Sequence, residues 1–280
     1  MKFLRYFIKS LIRNWMILFW GIFFVGFWLF LGAFVWSGSF IDSVKNLEEI
    51  YKQKAFLSYT ASWYSMCVLM GFSAISTTLA GIIYNSTSAL PYLKRFSRLS
   101  PEKYYTHSLI GVSLMTLISS FSLLIITVIL YGYRLKSPVY PQNILLLSIV
   151  SLFGGLFYYS LAFVISIVSI VLKSPRIREF LGFLPLILTY GVGLAQVNMS
   201  LNKNLIYASP INCVLSLLSS AYYGSSVSNE ITKTSITDPS IHLSNLYLFI
   251  SLFLWICILS MINIIMLRRV EEMKLEEGRI

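Results

Sequence analysis

The stretch Ala61–Tyr84, "ASWYSMCVLMGFSAISTTLAGIIY", decides the fold. It runs 24 residues without a Lys, Arg, Asp, Glu or His. About 20 helical residues cross about 30 Å of hydrocarbon, so this segment reads as a transmembrane helix. Working outward, five further runs meet the same test: Trp15–Trp36, Ser108–Gly132, Ile144–Leu172, Phe180–Val197 and Leu246–Leu267. All 33 Lys, Arg, Asp and Glu residues and both His residues lie outside these six runs.

Composition agrees. The 280 residues are 57% hydrophobic and 12% charged, whereas soluble domains average about 25% charged. Transmembrane barrels alternate apolar and polar residues in segments of about ten, and these runs do not alternate. The expected fold is an all-α integral membrane protein, one domain over 1–280, with a bundle of six spans.

The flanking segments add detail. In "MKFLRYFIKSLIRN" (1–14), Lys2, Arg5, Lys9 and Arg13 share one helical arc, opposite Leu4, Phe7, Ile8 and Leu11. That is the pattern of an amphipathic helix lying in the membrane interface, here an elbow leading into the bundle. Trp15 and Trp36 bracket the first span as interfacial anchors. That span is longer than a signal-peptide core, has no A-x-A-like cleavage site, and is expected to be retained.

Cations set the expected orientation. Segments 1–14, 85–107, 173–179 and 268–280 hold 15 Lys and Arg in 57 residues, against 7 in 83 for the opposite side. The positive-inside rule then places both termini and the tail 268–280 in the cytoplasm, with the chain multi-pass in the cell membrane. The net charge of +11 follows from this bias and favours anionic lipid as a partner. No soluble basic domain exists to bind nucleic acid. Cys67 and Cys257 fall inside spans and Cys213 outside; no Cys/His spacing forms a metal site.

Two spans carry candidate path-lining residues. Gly71, Ala74, Thr78 and Gly81 share one face of the second span, a small-residue stripe suited either to close helix packing or to a translocation wall. The fifth span is short and interrupted by Gly182, Pro185, Gly191 and Gly193. That reads either as the broken span that marks transport sites in carriers or as a kink absorbed by neighbouring helices. After it, "IYASPINCVLSLLSSAYYG" (206–224) reads as a pair of short helices or a re-entrant dip on the outer face. The polar stretch from there to Asn245 reads as an exposed loop.

Absent chemistry narrows function further. No carboxylate, lysine, arginine or histidine lies inside a span to couple proton or sodium movement. The catalytic candidates, Glu102 with His107 and Glu230 with Asp238 and His242, have no spacing that builds a site. No G-x-x-x-x-G-K-[ST] cradles nucleotide phosphates. Energy for uphill transport would have to come from another chain.

Between the second and third spans stands "LPYLKRFSRLSPEKYYTHSLIG" (90–111). Lys94, Arg95 and Arg98 cluster on one helical face, with Tyr92, Leu93, Phe96 and Leu99 away from it. Ser100-Pro101-Glu102 then reads as a new helix start: cap, proline at the first position, acid at the positive dipole end. Taken with the six spans and the elbow, this segment resembles the permease subunit of ABC type-2 transporters. That family's loop commonly reads as basic residues, L-x-x-[SL]-P, then a span with an early Gly; Leu99, Pro101 and Gly111 occupy those places. Ser209-Pro210 match the family's outer S-P before the last span, while a Glu common ahead of the basic cluster is missing. The resemblance implies that 89–105 is a coupling helix, with Tyr92, Leu93, Lys94, Arg95, Phe96, Arg98, Leu99, Pro101, Glu102 and Tyr105 meeting a P-loop ATPase. It implies two such ATPase copies, which bind the ATP and Mg, and a second permease subunit, with no cofactor on this chain. It implies a path lined by spans two and five: Gly71, Ala74, Thr78, Gly81, Pro185, Gly191 and Gly193. The competing expectations are a membrane enzyme acting on lipids or peptides, and a non-catalytic anchor for a partner.

Overall fold

The structure, a computed structural model, describes residues 2–87, 100–171, 175–234 and 242–277. Among these there is no strand, and six helices are long and apolar enough to cross a membrane: Trp15–Val44, Glu49–Tyr84, Glu102–Leu135, Ile144–Ile170, Phe180–Asn198 and Asn245–Leu267. The chain is all-helical, with the span lengths and composition of a multi-pass membrane protein.

Helix α1 (Lys2–Ile12) precedes a break at Asn14, whose side chain accepts from the Met16 amide (3.0 Å) and starts the first span. That span is composite: α2 (Trp15–Leu18), a π turn (Phe19–Phe23) and α3 (Phe24–Phe34), followed by α4 (Ser37–Val44). The second span is α5 (Glu49–Thr87), the third α6 (Pro101–Leu135), the fourth α7 (Ile144–Val171) and the fifth α8 (Pro175–Asn198). Two shorter helices, α9 (Lys203–Ala208) and α10 (Pro210–Tyr223), come before the sixth, α11 (Asn245–Glu277).

Several boundaries differ from the sequence reading. Helix α5 starts at Glu49 rather than near Ala61, because no glycine or proline interrupts the charged turns ahead of the apolar run. Its 39 residues extend about 58 Å, roughly twice the hydrocarbon thickness. Of the two readings of the fifth span, the structure has the one without a break: the helix runs on through Pro185. Pro185 removes only one backbone bond, and contacts with α5 and α7 hold the helix through it. The stretch before Asn245 is not simply exposed: Val227, Ile231 and Leu243 are buried, and the Leu243 amide donates to Val227 O (2.8 Å). Those three apolar residues are too scattered to register as a periodic pattern. The helix α11 also runs past the expected end of the last span at Leu267.

Helix α5 is the hub, touching α3, α6, α7, α8 and α10. One contact is unusually close. A Cβ on Gly71 would lie 2.9 Å from the carbonyl oxygen of Gly21 in the π turn, and that same oxygen accepts from Ser119 Oγ of α6 (2.9 Å). Small residues let helices approach this closely where lipid offers no hydrophobic drive to associate.

Helix α10 is enclosed on all sides, with every residue from Ile211 to Tyr222 buried. Its placement follows from two contacts to α11. Asn245 Nδ2 donates to Ser220 Oγ (2.8 Å), while Trp255 Nε1 donates to Ala208 O (2.9 Å). Trp255 lies about 15 Å further along α11 than Asn245. So α9 and α10 form a hairpin whose turn sits part-way down the bundle. The buried C-terminal carbonyls of α10 are satisfied by the α6–α7 connection: Gln142 and Asn143 amides donate to Tyr222 and Ala221 O (both 3.0 Å). Gly224 ends the helix at φ 91°, where a Cβ would lie 2.7 Å from Gln142.

Substituting Gly71→Ala forces the Gly21 and Gly71 backbones apart. We expect a loss of about 1–3 kcal/mol, read as a lower thermal midpoint of the detergent-purified chain. An unchanged midpoint contradicts the close packing.

Candidate functional site

Spans one and five flank α5 without closing over it. Between them lies a cleft of about 700 Å³, walled by Trp28 and Trp36, by Tyr59, Trp63 and Met66 of α5, and by Tyr190 and Leu194 of α8. A narrower cavity of about 240 Å³ follows, walled by Trp20, Phe24, Ala74, Phe183 and Leu186. Met70 and Tyr190 line both, so together they form one groove along the bundle.

The groove is amphipathic along its length. Ser39, Ser43, Asn198 and Thr232 line the wide cleft, whereas the narrow cavity is almost wholly apolar. Neither is lined by a Lys, Arg, Asp, Glu, His or Cys. Its wide end is built from stacked rings: Trp28 on Trp36 (5.9 Å), Trp36 on Trp63 (5.3 Å), and Phe40 on Tyr59 (4.2 Å). Tyr59 is fixed by donating to Gly32 O (3.0 Å). The buried Trp28 Nε1 has no hydrogen-bond partner among the described residues. Such a wall binds apolar surface and offers a few hydrogen-bonding groups at one end.

The predicted path residues divide. Ala74 lines the narrow cavity. Gly71 is instead committed to the Gly21 contact, and Gly193 faces Met66, whose Sδ would lie 3.1 Å from an added Cβ. Thr78 donates to Ala74 O of its own helix (3.1 Å). Gly81 and Gly191 meet open space, and Pro185 lies inside α8, its carbonyl accepting from Thr189 Oγ1 (2.7 Å). The groove's aromatic wall was missed from sequence. Its only signal is a 16% aromatic content, which marks no position.

At the other end of the bundle, α1 rests on α6: a Cβ on Gly111 would lie 2.8 Å from the ring of Phe7. Tyr92, Leu93, Lys94, Arg95, Phe96, Arg98 and Leu99 lie outside the described residues. Helix α6 then begins with Ser100 Oγ accepting from the Lys103 amide (3.3 Å), Pro101 at its first position and Glu102 half-buried in its first turn. Tyr105 departs from its expected place on a docking surface. It is buried, because the third residue after Glu102 turns inward on a helix already packed on α7 and α11. Its hydroxyl bonds Ser160 Oγ of α7 (3.0 Å) and Ser260 Oγ of α11 (3.1 Å), and accepts from Asn263 Nδ2 (3.4 Å). Asn263 also donates to Ser160 O (2.9 Å). One phenol thus ties the foot of the third span to the fourth and sixth.

The enzyme candidates are engaged locally. His107 Nδ1 lies 2.6 Å from Lys103 O, Glu230 pairs with Lys233 (3.0 Å), and His242 Nδ1 lies 3.4 Å from Ser226 Oγ. Asp238 lies outside the described residues. Comparison with known protein families, curated proteins and solved structures gave no match to this chain.

Replacing Tyr105→Phe leaves the buried Asn263 and Ser160 groups short of a partner. The expected cost is about 1–3 kcal/mol, measured as a lower unfolding midpoint; Ser260→Ala costs less, since Tyr105 keeps Ser160.

Proposed function

We infer that this chain is the membrane-spanning permease subunit of an ATP-driven exporter with the ABC type-2 layout. Two such subunits form the path, each coupled through 89–105 to a separate P-loop ATPase that binds the ATP and Mg. The observation that carries this reading is the groove between spans one, two and five. It is long, amphipathic and open at its side, and among the described residues its lining holds no Lys, Arg, Asp, Glu or His. A path without a charged side chain has no carboxylate, lysine, arginine or histidine through which a proton gradient can act on conformation, and could hold sodium only by carbonyl and hydroxyl oxygens. Work must then enter from outside the bundle.

Four further features support it. The basic segment ahead of Pro101 has the family's spacing. The cation bias favours cytoplasmic termini. Helix α1, resting on the start of α6, suits an interfacial elbow. The α9–α10 hairpin, turning part-way down α11, suits a re-entrant element on the outer side. Tyr105 extends the picture: motion at Pro101 reaches spans four and six through one buried hydroxyl, so the coupling surface itself comprises Tyr92–Glu102. The groove's chemistry favours amphipathic or lipidic cargo over free ions.

Co-expression with its ATPase and reconstitution into vesicles tests this. Arg95→Glu with Arg98→Glu should leave ATP hydrolysis intact while cargo export stops. Ser43→Trp, which fills the polar end of the groove, should stop export without releasing the ATPase. Export by the chain alone, against a gradient and with no ATPase present, overturns the reading. Activity that vanishes with Glu230 or His242 substitutions instead points to a membrane enzyme. Tight ATPase docking with no cargo-dependent hydrolysis points to an anchor.

A further inference from the structure

The end of the bundle away from α1 holds a second cleft, separate from the groove. Helix α4, the start of α5 and the end of α6 enclose about 510 Å³. Its floor is apolar, from Ile41 and Phe56, while its walls carry both signs of charge: Lys52, Arg134 and Lys136 against Asp42 and Glu49. Lys52 Nζ lies 3.7 Å from Glu49. Arg134 is held by its Nε donating to Ser37 Oγ (3.2 Å). Among the described residues no carboxylate lies within ion-pair distance of Arg134 or Lys136, and no cation within that distance of Asp42.

Lys136 carries a second signal. It caps α6 at φ 51°, ψ 34°, the only non-glycine with positive φ among the described residues. Glycine or asparagine ordinarily fills that place, since a side chain there is strained. A lysine kept against strain, with its charge at the mouth of a cleft, points to use of that charge. The surroundings fix the depth. Tyr51 and Tyr133, next in sequence to the cleft-lining Lys52 and Arg134, are exposed, as is Tyr140 beyond Lys136, with Tyr133 against Phe34 (6.3 Å). Exposed Trp and Tyr at span ends mark the headgroup level of a bilayer.

We propose that this cleft binds the headgroup of a zwitterionic phospholipid. Arg134 and Lys136, with Lys52, take the phosphate, for which a guanidinium fork and ammonium groups are suited. Asp42 and Glu49 take the ammonium pole. A purely anionic headgroup would set its charge against Asp42, and a soluble zwitterion would leave the apolar floor and aromatic rim unused. The site needs only that the chain lie in a bilayer, so it stands apart from the ATPase reading.

The test uses the full-length chain in detergent micelles, titrated with dihexanoyl phosphatidylethanolamine, dihexanoyl phosphatidylglycerol, phosphoethanolamine and inorganic phosphate. Wild type should bind the ethanolamine lipid tightest, with the two soluble compounds far weaker. Lys136→Gly relieves the strain, so it should melt higher without lipid yet bind the ethanolamine lipid about tenfold to a hundredfold more weakly, the scale of one charge-assisted contact. Asp42→Asn should weaken the ethanolamine lipid and spare the glycerol one. Equal binding of the two lipids, competition by phosphoethanolamine as strong as by lipid, or undiminished binding by both variants overturns the proposal.

Discussion

A bundle whose six apolar runs hold no Lys, Arg, Asp, Glu or His must be joined by weaker polar contacts, and here hydroxyls supply them. In hydrocarbon a buried polar atom without a partner costs free energy that water would otherwise offset. The chain meets this by pairing serine, threonine and tyrosine across helices. Tyr64, Ser120 and Ser151 link spans two, three and four at 2.8 Å each, and Ser65 meets Ser219 of the hairpin at 2.6 Å. Tyr158 joins Thr189 at 2.6 Å, and Ser166 reaches the Ala80 carbonyl at 2.9 Å. Each such pair contributes about 0.6 kcal/mol on average in membrane proteins, so the arrangement is specified by many small terms. Among the described residues some buried polar atoms stay unpaired: Asn212 leaves both amide atoms so and Gln196 its carbonyl oxygen, on neighbouring helices α10 and α8, and Trp28, Ser58, Tyr131, Asn229, Asn245 and Asn263 each leave one.

This constraint orders the rest. Because α5 is the helix that most of the others touch, its Gly, Ala and Ser positions serve close approach more than passage. Gly71 illustrates the point: a residue that reads equally well as wall or as contact proves to be contact. The space left over lies where large rings prevent approach, between α3 and α8 above Trp63 and Met70. The open groove and the tight seams are two outcomes of the same side-chain sizes.

The spans were legible because uncharged length alone identifies them, and Ser100-Pro101 was legible because capping is local chemistry. The composite first span, the 39-residue α5 and the continuity through Pro185 were not, since neighbours rather than local residues decide them. The inward turn of Tyr105 could not be read either. At 100° per residue its angle relative to Pro101 is calculable, but which angle faces α7 depends on how three helices meet. Nothing in a linear string says which of 18 tyrosines end up beside a serine on another helix.

The π turn in the first span has a consequence for how that segment can vary. Of the residues this span buries, Ile17, Gly21, Val25, Leu29 and Ala33 recur every fourth position, with Gly32 beside the last. An ideal α-helix overshoots one revolution by about 40° over four residues, so this stripe would wind off its partner within the span. One widened loop of backbone at Phe19–Phe23 takes up an extra residue and resets the phase. Removing one residue there would close the π turn into regular α-helix and leave both flanks in phase. Inserting a further residue would instead rotate everything before it by about 100° and swing Trp15 and Phe19 away from the faces they now expose. Related chains should therefore tolerate the loss of one residue in this stretch far more readily than the gain of one.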